Sequence, residues 1–546
     1  MDRTALIIGA ALGMLALACG PAAQQPRGDG QAEQPRPGGV LNLTHSRADF
    51  FDYDPTYAGQ SSPNYFATML AYDRLLEFKA GPDVSYGEYV LAPSLAERWE
   101  ASVDGRAFTF QLRKGVKYAD LPPLNGREFT SADVKWTLEY HQRTGELAGK
   151  NLPKGSYTFT TEGLDRIDTP DSHTITVRFK EPFVPFLNYV PTYNMVMLPR
   201  EIYLEDGHLK DRLAGTGPFQ LDPGSVQKGT RWVFKKNPTY WEQGKPYLNE
   251  LRYLILPEEG TRLAAFQTKQ LDMIDTAELQ IFNQLQNVPG AIVSREADPA
   301  PYTLYINAVQ PIVKDVRVRR AISYAIDRDE FLRVMTGGEG TWRLAGSRPQ
   351  DWTQDELKQL LKYDPNEAKR LLAEAGFPNG VNLKLLNRDA DAGGASTQEQ
   401  LLQSQLKKAG INVEIDLTPK AEGTKRLYGG QFDFIILWEK RFADVDSFLY
   451  DQNHSSGVRP LGQNAPNWTR VNDQKLDQLI EAQRGAVDPG QRTKVLREAA
   501  RYITEQAYHL ALYPRLRYRA WHPYVNGYYP QDMQDDQGAK YIWLDK

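Results

Sequence analysis

Cysteine is nearly missing from this chain. Cys19 is the only one among 546 residues, so disulfides, thiolate metal sites and dithiol redox chemistry are excluded from everything that follows it. Histidine is almost as sparse: seven lie scattered between His45 and His522, with no His-Glu-x-x-His or comparable ligand pair. No metal and no cofactor is therefore expected. Charge of one sign is lacking too, because 65 basic residues face 69 acidic ones and the two are interspersed. That balance gives no support to nucleic-acid binding through a basic face. There is no Gly-x-Ser-x-Gly nucleophile turn and no Gly-x-x-x-x-Gly-Lys-Ser/Thr phosphate loop. A catalytic group assembled only in space leaves no such trace, so these absences count against an enzyme only alongside what is present.

One long apolar run exists, the uncharged residues 5–18. It is too short for an ordinary membrane-spanning helix and suits the core of a signal peptide. It ends Leu15-Ala16-Leu17-Ala18-Cys19-Gly20, which resembles a bacterial lipobox, although Ala16 stands where leucine is commonest and Asp2 offsets Arg3. The resemblance implies removal of residues 1–18 and lipidation of Cys19. Residues 20–39, rich in Pro, Gly, Gln and Ala, cannot bury enough surface to offset their ordering entropy. The expectation is a tether at about 19–38 spanning about 25 Å, holding a globular protein at a membrane face.

At this length more than one hydrophobic core is expected. Val40 to Leu43 reads as a strand, and Ser46 and Arg47 in the loop after it are candidate ligand contacts. Asp104-Gly105 marks a turn, and residues 108–112 alternate as a strand. Thr130 and Asp133 resemble a capping box, with Val134, Trp136 and Leu138 facing a core. Gly215 and Gly217 read as a chain reversal that only glycine tolerates. Val318, Ala321, Ile322, Ala325 and Ile326 fall at helical spacing, with the neighbouring arginines solvated or paired. From Tyr302 onward, strands at 302–306, 383–386, 411–415 and 432–438 alternate with helices, two of them opened by Asp364-Pro365 and Asp488-Pro489. That alternation argues an α/β second lobe wound from βα units.

The stretch richest in chemistry is 431–449. Residues 432–438 are apolar except for Asp433, which fits a strand buried on both faces, as in a parallel sheet. Just past Trp438 come Glu439, Lys440, Arg441, Asp444 and Asp446. Ligands of open α/β sheets collect beyond the carboxyl ends of strands, so this exit is the first candidate site. Trp438, Arg441, Asp444 and Asp446 are candidate contacts, joined by Asn387 and Arg388 beyond the 383–386 strand. Each has a plain alternative as core or solvated loop.

The order Leu91-Ala92-x-Ser94-x-Ala96-x-x-Trp99, then Asp104-Gly105, Phe108-Thr109-Phe110-x-Leu112-Arg113-Lys114-Gly115-Val116-Lys117-Tyr118 and Phe129-Thr130-Ser131-Ala132-Asp133-Val134, resembles the family 5 extracellular solute-binding proteins. Gly215-Thr216-Gly217-Pro218-Phe219, Asn237-Pro238-x-Tyr240-Trp241 and Asp315-Val316-Arg317-Val318-Arg319-Arg320-Ala321-Ile322 continue it in family order. The resemblance implies a two-lobed periplasmic-binding-protein-like fold (type II, cluster C). Lobe I would run from 39 to 300 with an inserted subdomain at about 76–214, lobe II from 301 to 513, and 514–546 would return to lobe I. Two chain crossings would make a hinge. It further implies a monomeric receptor, not an enzyme, that hands a solute to an ABC permease powered by a separate ATPase. In peptide-binding relatives a carboxylate shortly after the tryptophan takes the peptide ammonium. Aligning Ser447-Phe448-Leu449 with the family's matching end puts Arg441 there and Asp444 nearer a second acidic position. A guanidinium repels ammonium and pairs with carboxylate or phosphate. Peptide remains the main expectation, with an anionic solute such as an opine-like conjugate or sugar acid, or a metal chelate, as the alternative. A secreted hydrolase is the alternative of another class.

Overall fold

The computed structural model describes residues 34–45, 53–56, 62–150, 152, 157–388, 396–439, 443–463, 466–531 and 537–546. The apolar leader, Cys19 and most of the proposed tether lie outside the described residues, as do Ser46, Arg47 and Arg441. All that follows concerns Arg36–Lys546.

The chain enters through β1 (Val40–His45), forms a small pair from β2 (Leu76–Phe78) and β3 (Leu91–Pro93), then builds an antiparallel sheet. That sheet contains β4 (Ala96–Ala101), β5 (Ala107–Leu112), β6 (Leu164–Asp171) and β7 (Thr174–Phe179) in the order β4-β5-β7-β6. The chain then returns through β8 (Phe219–Leu221), β9 (Arg231–Lys236) and β10 (Glu250–Ile255), and β10 lies parallel to β1. One core runs under both sheets, including Leu41 and Phe234 from one and Phe108, Phe110 and Ile175 from the other. The expected insert is thus welded to the first lobe by shared apolar packing.

The largest sheet runs from the clusters around Phe266 and Tyr518 into the second lobe and has six strands in the order β11-β16-β12-β15-β13-β14. They are β11 (Met273–Thr276), β12 (Ile292–Ile306), β13 (Val381–Asn387), β14 (Ile411–Leu417), β15 (Phe434–Trp438) and β16 (His509–Trp521). Helices cover them and enclose two further cores, one around Leu304, Ile322 and Leu385, the other around Tyr305, Ile435 and Ile503. β15 is buried as expected, but its neighbours are mixed: parallel to β13 and antiparallel to β12. A short pair, β17 (Val525–Asn526) with β18 (Trp543–Leu544), carries the tail back, where Val525 and Leu544 join the first core.

Local chemistry accounts for the element starts. Asp315, Asp364, Asp473 and Asp488 each accept from a backbone N–H in the first turn of the following helix. Thr130 and Asp133 form the anticipated capping box, and Val134, Trp136 and Leu138 are buried. Two readings need correction. Neither Gly215 nor Gly217 takes a positive φ. Glycine is required because a Cβ at 217 would stand 2.5 Å from the Ala71 carbonyl carbon and 2.6 Å from the Leu70 oxygen. The strand-ward chain passes directly against the end of the Ser62–Ala71 helix. Arg319 is not solvated: it is buried and donates to the carbonyls of Val313, Lys314 and Gln506.

β12 and β16 are the two strands shared between the halves. Ile292 to Ala297 pair with Leu516 to Trp521, and Pro301 to Tyr305 pair with His509 to Pro514. Between these ladders the register slips, leaving Asp298, Pro299 and Ala300 opposite Arg515. Pro299, Pro301 and Pro514 lack ladder donors, which explains why pairing fails here. On one side of the slip, Leu516, Tyr518 and Ala520 pack with Phe282, Phe266 and Leu263; on the other, Leu510, Leu512 and Leu304 belong to the second lobe.

Candidate functional site

Tyr302 lies opposite both Trp438 and Tyr513, so the end of β15 stands level with the middle of β16, and the two strands run the same way. Arg515, two residues further on, lays its guanidinium over the Trp438 ring at 4.8 Å from the centroid. Its Nη1 reaches Asp298 at 3.3 Å, and Asp298 also accepts from the Tyr86 hydroxyl, which the first lobe supplies. Trp438, Arg515, Asp298 and Tyr86 therefore meet at the register slip between the halves. Trp438 Nε1 and Arg515 Nε in this cluster are buried and have no hydrogen-bond partner among the described residues.

Past Trp438, every described acidic side chain is engaged. Glu439 is fully buried and accepts from the Gly346 N–H at 3.1 Å. Asp444 accepts from Arg492 Nη1 and Nη2 at 2.9 and 2.7 Å and from Asn188 Nδ2 at 2.7 Å. Burial alone would raise the Asp444 carboxyl, but Arg492 outweighs it and holds the group down to about 2. Asp446 accepts from Arg484 Nε and Nη2, both at 2.9 Å, from the Tyr189 hydroxyl at 2.7 Å and from Gln483. Burial, and then the Asp446 and Asp444 charges, push the Tyr189 hydroxyl far up, so it stays a donor.

Asn188 and Tyr189 belong to the first-lobe side, on or beside the Phe186–Tyr189 helical turn. Val184 N–H donates to the Arg484 carbonyl at 2.9 Å, and Arg484 Nη2 to the Phe159 carbonyl at 3.3 Å. The charged exit thus sits where the halves touch, and its two aspartates bind across that contact. No local pattern marks Asn188, Tyr189, Arg484, Arg492 or Arg515 in the sequence, because each acts on a residue far along the chain. Asn387 and Arg388 make other contacts: Asn387 donates to Glu399 at 2.7 Å, and Arg388 packs against Gly423. Among the described residues no group of three or more His, Cys, Asp or Glu is placed to hold a metal ion.

Residues 90–459 match the family described as bacterial extracellular solute-binding proteins, family 5 Middle. This chain belongs to that family. Among its relatives, the family 5 protein is 28% identical over 458 residues to di/tripeptide-binding protein 2 of Pseudomonas aeruginosa, covering 81% of this chain and 84% of that one. It is 27% identical over 484 residues to the dipeptide-binding protein of Escherichia coli, covering 84% of each. The ABC transporter-associated periplasmic binding protein DppA of Helicobacter pylori, solved with the peptide STSA, superposes with a TM-score of 0.80 at 25% identity, covering 94% of this chain and 99% of that one. The two-lobed fold expected from the motifs is therefore the fold of this family 5 protein. Among its described residues no helix is long and apolar enough to cross a membrane.

Proposed function

We propose that this family 5 protein is the extracytoplasmic receptor of an ABC importer, capturing a peptide or peptide-like solute by hinge closure and delivering it to a permease. The observation that carries this reading is the pair of long strands, β12 and β16, whose ladder breaks at Asp298–Ala300 between separately packed halves. A break with proline on both strands leaves few backbone bonds to resist bending there. Solute touching both halves binds the closed form better and shifts the population toward it. A micromolar solute provides about 8 kcal/mol, ample for a balance of a few kcal/mol. Cys19 would carry the lipid and residues 19–38 the tether. The names and coverage of the relatives support the peptide reading.

A second reading, an anionic non-peptide solute, is favoured by the engagement of Asp444 and Asp446 with arginines. Arg441 would then be a principal contact, and Arg441→Ala is expected to weaken the natural solute by about tenfold or more. Titration calorimetry against di- and tripeptides, opines and sugar acids tests both readings, and small-angle scattering tests closure. Binding without compaction would remove the hinge, and saturable binding of none of these solutes would remove the receptor.

A further inference from the structure

We infer that the cluster at the register slip, where β15 ends beside β16, takes the carboxylate end of the solute, not the ammonium end, with Trp438 Nε1 and Arg515 Nε as the donors. The inference rests on the peptide-receptor reading above and specifies which end of the peptide meets the second lobe.

Donors and acceptors are out of balance at this one place. An ammonium needs an acceptor with spare capacity, and a buried polar group left unmatched costs free energy. Each of the described carboxylates around Trp438 is already engaged in this arrangement. Asp298 receives Tyr86 and Arg515, Glu439 receives Gly346, Asp444 receives Arg492 and Asn188, and Asp446 receives Arg484, Tyr189 and Gln483. At Asp444 and Asp446 an incoming ammonium would have to displace a guanidinium held by two bonds, and at Asp298 it would compete with Arg515. The donors are in the opposite condition. Trp438 and Arg515 stack on one another, are partly accessible as side chains, and keep one N–H each out of water with no described residue accepting from it. Both lie at the slip where the first lobe reaches over through Tyr86. A carboxylate has two oxygens and suits two neighbouring N–H groups backed by a guanidinium charge. Its arrival leaves every existing ion pair intact.

The test uses three matched pools of tripeptides: zwitterionic, N-acetylated with a free carboxylate, and C-terminally amidated with a free amine. Isothermal titration of the intact protein should find the acetylated acids within about threefold of the zwitterions and the amides weaker by about tenfold or more. Trp438→Phe keeps an aromatic ring and removes the N–H, so it should weaken the acids by about tenfold and the amides by less than about threefold. The ligand-free melting temperature of the variant verifies that its fold is intact. Tight binding of the amides with loss of the acetylated acids would overturn the inference and leave the peptide reading standing. An unchanged affinity of Trp438→Phe for the acids would also overturn it. Binding of none of the three pools would remove the peptide reading, and the inference with it.

Discussion

Asp444 and Asp446 are held out of water by arginines that are themselves buried, and this fixes what their replacement costs. Asp444→Asn leaves Arg492 facing a neutral amide, and Asp446→Asn does the same to Arg484. Removing one partner of such a pair costs about 3 to 5 kcal/mol, far more than a surface pair. Urea denaturation should show that loss for each variant, and a change below about 1 kcal/mol would mean the pairs are solvated. Acid acts on other residues first. Burial pushes the imidazoles of His141 and His509 down from 6.5 to about 3. The folded state thus excludes protons that the unfolded chain binds, so this stability is complete above pH 6.5 and is lost as pH falls toward 3. Asp73 works the other way: burial raises its carboxyl to about 6, and its contribution is lost as pH rises through that value. Two histidines against one aspartate leave a net decline on acidification, on the order of 2 kcal/mol or more by pH 4.5. Asp444 stays ionised throughout, because its own window lies between 3.8 and about 2. His509→Phe, between Tyr305 and Phe448, should flatten the pH dependence by about one proton; an unaltered slope would remove His509 as a cause. At this scale the helix caps were legible because cap and donor are two or three residues apart. The Asp444–Arg492 and Asp446–Arg484 pairs span 48 and 38 positions and leave no local sign.

Among elements, periodicity was informative where a strand or helix is uniform. β13, β14 and β15 lie where their apolar runs place them, and the Val316–Tyr324 helix buries Val318, Ala321 and Ile322. The sequence pattern marks β12 only from Tyr302, because Asp298-Pro299-Ala300-Pro301 resembles a strand end. It is a break within a 15-residue strand that resumes on the other side. The antiparallel neighbour of β15 was equally invisible, since pairing direction depends on a strand more than a hundred residues away. Gly217 shows how a correct residue can carry a wrong reason. The sequence suggested a turn, whereas the limit is contact with the end of the Ser62–Ala71 helix. Gly217→Ala is therefore expected to lower stability by about 1 to 3 kcal/mol, the range for forcing a methyl into a packed site. A neutral result in thermal unfolding would mean that the helix end can yield.

For the whole molecule, the contact between halves is expected to contribute to affinity without touching solute. Tyr189 and Asn188 reach from the first lobe to Asp446 and Asp444 of the second, and both bonds exist only when the halves meet. Each is worth about 1 kcal/mol net. If closure is a balanced equilibrium, the affinity seen for any solute is the closed-state affinity scaled by the closed fraction. Tyr189→Phe should then weaken every solute by about fivefold, and Tyr189→Phe combined with Asn188→Ala by up to about thirtyfold. The factor should be the same across solutes, unlike that of a contact residue, whose loss discriminates among them. Ligand-free scattering should give a larger radius of gyration for the double variant, with saturating solute restoring compactness. A solute-dependent loss would place these residues in the binding surface. Unchanged affinity together with unchanged size would mean that the closed form is already so dominant that the polar contact adds nothing to it, and the driving force for closure would have to come from the strands at the slip instead.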